Sequence, residues 1–91
     1  MKHILITGAA GGLGSSAAFA LAKQGHKIYA LDLNIEGLLS NEDDLIIPIQ
    51  VDITDSASLM KAKELILEKT DYLDAIINMA GVFAMHALIE I

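Results

Sequence analysis

The sequence predicts an α/β fold of three layers: a parallel sheet in the strand order 3-2-1-4 with helices on both faces. Three observations predict it. Four short apolar runs alternate with three helical patterns, the order that builds a parallel sheet. The runs are continuous rather than alternating, as strands covered on both faces are. A glycine-rich turn stands where the first run gives way to the first helical pattern.

Taken in order, the first run covers residues 4–7 and stops at Gly8. It resembles the start of a signal peptide for a few residues, but the glycines break it and it reads as a buried strand. A helix is expected over 12–24, with Leu13, Ala17, Ala20 and Leu21 at helical spacing and Gly25 as its stop. The second run, 27–31, ends at Asp32. A turn or two of helix fits 34–40. The third run, 46–51, ends at Asp52 and contains Pro48, whose missing N–H suits an edge strand or a strand end. The next helix is expected over 55–69, with Thr54 or Asp55 as its N-cap and Leu59, Ala62 and Ile66 on one face. The fourth run is 73–78. Right-handed crossovers then give the order 3-2-1-4.

Ninety-one residues allow one small domain. It is read as a single partial domain over 1–91, truncated after the fourth strand. Such a truncation leaves that strand at an edge open to another chain, so self-association is expected. The six basic residues are all lysines against twelve acidic ones, a net charge of −6. No basic patch of the kind nucleic acid needs is visible. There are no cysteines, which removes disulfides and thiolate chemistry and fits a reducing, cytoplasmic setting. No apolar run reaches the ~18 residues of a membrane span.

The turn Thr7-Gly8-Ala9-Ala10-Gly11-Gly12-Leu13-Gly14 is the sharpest feature. Gly8 permits a tight exit from the strand. Gly12 lets the backbone approach a pyrophosphate with no Cβ in the way. Gly14 lets the helix pack close. The phosphates would sit on free N–H groups at the helix N-terminus. An ordinary flexible turn is the bland alternative, and the strand before and helix after weigh against it. Asp32 follows Gly14 by 18 positions. A carboxylate there can accept hydrogen bonds from the adenosine ribose and repel the 2′-phosphate of NADP. With no arginine to bind that phosphate, NAD is preferred over NADP. The competing role for Asp32 is a loop cap. For Asp52, the spacing divides evenly between a cap and a place in the same crevice.

Thr7-Gly8-x-x-x-Gly12-x-Gly14, Asp52-Ile53 and Asn78-Met79-Ala80-Gly81 together resemble the short-chain dehydrogenase/reductase family, over essentially the whole chain. The resemblance implies a Rossmann-type fold and an oxidoreductase moving hydride between nicotinamide and an alcohol or carbonyl. It also implies roles. Backbone around Gly11 to Leu13 would hold the pyrophosphate, Asp32 the ribose, and Asp52 with the Ile53 backbone the adenine. Asn78, Ala80 and Gly81 would line the crevice, with Asn78 tying strands together. Met79 stands where the motif has a second asparagine. Gly8, Gly11 and Gly14 also fit the spacing of the extended, epimerase-like branch; Asn78-x-Ala80-Gly81 favours the shorter one.

The family's catalytic serine and Tyr-x-x-x-Lys have no counterpart. Leu33 and Ile76 stand four residues after Tyr29 and Tyr72. No catalytic residue is therefore assigned. A non-catalytic nucleotide-binding or interaction module stays open, as does another glycine-rich α/β binder such as a methyltransferase. His3, His26 and His86 share no metal-ligand spacing, so no metal site is expected. The Glu42-Asp43-Asp44 run reads as a solvated loop. Met79 and Met85 read as packing residues, and the apolar 82–91 segment as one that packs against structure outside it.

Overall fold

The computed structural model describes residues 1–39 and 43–79. Four strands form: β1 (His3–Thr7), β2 (Lys27–Asp32), β3 (Ile46–Gln50) and β4 (Ala75–Asn78). They pair in parallel in the order β3-β2-β1-β4, as the sequence predicts. Pro48 falls on β3, at a sheet edge, opposite Ala30. An outer strand can spare the N–H that proline lacks.

The period of two along β1 separates the layers. Ile4 and Ile6 point to one face and pack with Ala18, Ala22, Ile28, Ala30 and Leu38. These residues bring α1 (Gly12–Lys23) and α2 (Glu36–Leu39) to that side. Leu5 points to the other face and packs with Tyr29, Leu31, Ile49, Leu59, Ala62 and Ile66. The last three are the expected stripe of α3 (Ser56–Leu67). Full burial of side chains such as Leu59 and Ile66 is worth about 2 kcal/mol each, so each face has its own core.

The stripe of α1 differs from the one expected. Gly14, Ala18 and Ala22 are buried, while Leu13 is 77% exposed and Ala20 is exposed. Ala17 and Leu21 flank the stripe, partly buried. Apolar residues occupy most of this helix, so hydrophobicity alone does not fix its rotation. Closeness of approach does, and it selects the i, i+4 row of smallest side chains.

Gly25 ends α1 as expected. Its φ is +89°, its amide donates to the Ala22 carbonyl at 2.9 Å, and the His26 amide donates to Leu21 at 3.2 Å. This is the left-handed double-bonded stop that glycine favours. Of the two candidate caps for α3, Asp55 is the one used: its carboxylate accepts from the Ala57 amide at 3.0 Å.

β4 starts two residues later than the apolar run. Asp74 forms a reciprocal clasp with His3 instead: its amide donates to the His3 carbonyl at 2.8 Å, and its carboxylate accepts from the His3 amide at 2.7 Å. The His3 ring reaches the buried Tyr29 hydroxyl at 2.8 Å. Burial, and then Tyr72 nearby, raise the Tyr29 pKa. The His26 ring accepts from the Lys2 amide at 3.2 Å. Among the described residues no helix is long and apolar enough to cross a membrane.

Candidate functional site

The carboxyl ends of the strands lie side by side. Thr7 pairs with Leu31 on one side and Asn78 on the other, and Asp32 pairs with Gln50. Beyond them the chain must leave the sheet, and the β1 exit is the sharpest. Gly8 adopts φ +67°, a conformation only glycine takes without strain. The turn's next amides are then used internally. Ala9 donates to the Leu31 carbonyl at 3.1 Å and Gly11 to the Gly8 carbonyl at 3.2 Å. Ala10 donates to the Asp32 carboxylate at 2.9 Å.

The helix that follows begins differently. Its N-cap is Gly11, no side chain caps it, and no acidic residue lies in its first turn. The first-turn N–H groups of a helix have no intrahelical acceptor, so Gly12, Leu13 and Gly14 present donors at the positive end of the dipole. The glycines divide the labour. A Cβ on Gly14 would collide with the Gly8 carbonyl oxygen and lie 2.9 Å from its carbon and 3.0 Å from the Ala9 Cα. A Cβ on Gly12 would meet nothing within 4 Å. Gly14 serves packing, and Gly12 faces open space beside the free donors. Gly11 is intermediate, its added Cβ 3.4 Å from the Gly8 carbonyl oxygen.

An open cleft of about 250 Å³ adjoins this turn, lined by Gly8, Leu31, Asp32, Leu33 and residues 51–54. Asp32 and Asp52 both border it. Besides Ala10, the Asp32 carboxylate accepts from the Asn34 amide at 3.3 Å, so the loop-cap role and the cleft position coexist. Asp52 is fixed by Thr54, whose hydroxyl and amide donate to its Oδ1 at 2.6 and 3.0 Å. Those two bonds, the hydroxyl first, hold its carboxyl below the ordinary range, so it is anionic at neutral pH. The Asp52 amide donates to Ser58 Oγ at 2.8 Å. The cap and the crevice position are thus separate: Asp55 caps α3, and Asp52 faces the cleft.

On the other side of β1, the buried Thr7 hydroxyl donates to the Asn78 side-chain oxygen at 2.7 Å. That bond ties β1 to β4 at their carboxyl ends. Ala80 and Gly81 lie outside the described residues. Ser58 and Gln50 are not evident as site residues from spacing, because their contacts depend on how α3 returns to the sheet and on the β2–β3 register; Thr54 bonds Asp52 from only two residues away.

A family model described as short chain dehydrogenase matches residues 2–91. The chain belongs to the short-chain dehydrogenase family. It is 29% identical to the sorbitol dehydrogenase of Cereibacter sphaeroides, over 99% of this chain and 36% of that one. It is 34% identical to the D-threitol dehydrogenase of Mycolicibacterium smegmatis, over 89% of this chain and 34% of that one. Among solved structures, the 3-ketoacyl-(acyl-carrier-protein) reductase of Brucella melitensis complexed with NADH superposes with a TM-score of 0.75 at 31% identity, covering 82% of this chain and 32% of the other. A 4-hydroxyisoleucine dehydrogenase complexed with NADH gives 0.79 at 29% identity, covering 90% and 35%. The chain spans about a third of the length of these short-chain dehydrogenases. The matches lend no support to the epimerase-like, methyltransferase or non-catalytic readings over the dehydrogenase one.

Proposed function

We propose that this chain is the adenine-dinucleotide-binding portion of an oxidoreductase, and that it prefers NAD(H) to NADP(H). The observation that carries the proposal is a juxtaposition. Gly8 of the turn and two carboxylates, Asp32 and Asp52, border one cleft, and the same turn leads into an uncapped, glycine-edged helix N-terminus at Gly12. The donors suit a pyrophosphate and the acceptors suit the hydroxyls of a ribose and the amino group of an adenine. The space in front of Gly12 is where a phosphate could approach the backbone.

The residues then take these roles. Backbone around Gly11 to Leu13 holds the pyrophosphate, with the Gly12 and Leu13 N–H groups as its donors. Gly8 and Gly14 shape the turn. Asp32 orients the ribose. Asp52 and the Ile53 backbone meet the adenine. By family resemblance, Asn78, Ala80 and Gly81 would line the cofactor crevice. When bound, nicotinamide supplies the hydride acceptor or donor. The reduced or oxidised carbon belongs to an alcohol or carbonyl substrate.

Parallel calorimetric titrations with NADH and NADPH test this. Saturable NADH binding, with NADPH about tenfold weaker or more, is expected from one like-charge repulsion in the cleft. Equal affinities would remove the preference. A folded chain that binds neither would remove the proposed site.

Self-association is proposed as well. No described strand pairs with β4 on the side away from β1, and an open strand edge recruits other chains. Sedimentation velocity should show concentration-dependent dimers or larger species. A monodisperse monomer at the highest soluble concentration would refute it.

A further inference from the structure

Gln50 ends β3 and pairs with Asp32 across the ladder. Its side chain reaches across to the neighbouring strand end, where Nε2 donates to the Leu33 carbonyl at 3.0 Å. Leu33 directly follows Asp32 and lines the cleft. Its own side chain is 63% exposed, so apolar packing does little to hold it. From Leu33 to α2 the chain is fixed by short-range bonds, Asn34 to Asp32 and Glu36 to Asn34. Directly after Gln50 comes Val51, which begins the other wall of the same cleft and continues through Asp52 to Thr54; the Val51 amide donates to the Asp32 carbonyl at 2.9 Å, before Leu33. One side chain therefore spans from the strand that launches one wall to the backbone of the other.

We infer that Gln50 is a positioning residue for an adenine nucleotide: it sets the spacing between the Leu33 wall and the Asp52–Thr54 wall. The inference rests on the dinucleotide reading of the cleft and deepens it, because it adds a residue that need not touch the ligand. An amide donor is what the geometry requires, since the group to be held is a carbonyl oxygen. Glutamate at this position has the same shape but no N–H to offer, and methionine has neither the N–H nor a charge. Both should release the Leu33 wall while leaving the sheet intact, because Gln50 is exposed at the end of an outer strand.

The test uses the full chain, with Gln50→Met and Gln50→Glu compared with wild type by calorimetry against NADH, AMP and inorganic pyrophosphate. One lost hydrogen bond that had ordered the wall predicts about 3- to 10-fold weaker NADH and AMP binding in both variants. Pyrophosphate affinity should be unchanged, and the melting temperature should stay within about 2 °C. A purely structural role would weaken all three ligands together and overturn the inference. Loss in Gln50→Glu alone would assign the effect to charge and overturn it too. Wild-type NADH and AMP affinity in Gln50→Met overturns it alone, whereas a folded wild-type chain that binds neither removes the dinucleotide reading along with it.

Discussion

Gly14→Ala should unfold or nearly unfold the chain, whereas Gly12→Ala should leave it folded and abolish most dinucleotide binding. The two glycines are two residues apart on α1 and meet opposite surroundings. A methyl on Gly14 would collide with the Gly8 carbonyl oxygen and crowd the Ala9 backbone. Neither can yield as a flexible side chain would. Gly8 is held at φ +67° and Ala9 by its bond to Leu31. Forcing the helix away from the strand exit uncovers the Ala18 and Ala22 contacts that follow on the same stripe. Overpacking of this kind amounts to about 3 kcal/mol or more. That is a large share of the stability a domain this small can have. On Gly12 the added methyl meets nothing within 4 Å, and alanine is the better helix former by up to about 1 kcal/mol. Thermal melts should therefore show a large drop for Gly14→Ala and none, or a small rise, for Gly12→Ala. NADH titration of the latter should show affinity lower by about tenfold or more, since a methyl stands where backbone donors meet phosphate. Undiminished binding in Gly12→Ala would mean that the phosphates lie elsewhere.

The same pair shows what could be seen in the residues and what could not. The glycine turn, the Gly25 stop and the α3 stripe follow from local pattern. Each depends on a period or on a residue with one conformational use. The rotation of α1 does not follow, because a helix rich in small apolar residues has several equivalent faces until a partner surface selects one. Leu13 is exposed for that reason, although it sits at a position that hydrophobicity would bury. The site divides along the same line. Asp32 and Asp52 stand out because they end apolar runs. The bonds that fix them come from Ala10, Thr54 and Ser58, and Gln50 reaches Leu33 only through the β2–β3 register. Thr7 could be placed in the turn, but its hydroxyl partner lies 71 positions away in the chain, at Asn78.

Asp32→Asn is expected to collapse the preference for NADH over NADPH, and Asp32→Ala to do so while also loosening the turn. A carboxylate has about four lone-pair sites. In Asp32 the amides of Ala10 and Asn34 take one each, which leaves acceptor capacity for two ribose hydroxyls. The structural and the binding roles can thus operate at once, and the two substitutions separate them. Asparagine keeps one oxygen, enough to accept from Ala10, so the glycine turn stays anchored. It loses the charge and one acceptor, so NADH should bind about tenfold more weakly, as expected for a charge-assisted hydrogen bond. The repulsion of a 2′-phosphate, on the order of 1–2 kcal/mol across a solvated cleft, disappears as well. NADPH should then bind as well as before or better, and the two cofactors should fall within about threefold of each other by the same arithmetic. Alanine removes the anchor too, leaving the Ala10 amide without its partner at a loss of about 1–2 kcal/mol of stability. A lower melting temperature for Asp32→Ala than for Asp32→Asn, with similar loss of selectivity in both, is the expected pattern. If Asp32→Asn kept the full preference for NADH, discrimination would have to arise from the shape of the cleft around Leu33 rather than from charge, and Asp32 would be left with the turn alone.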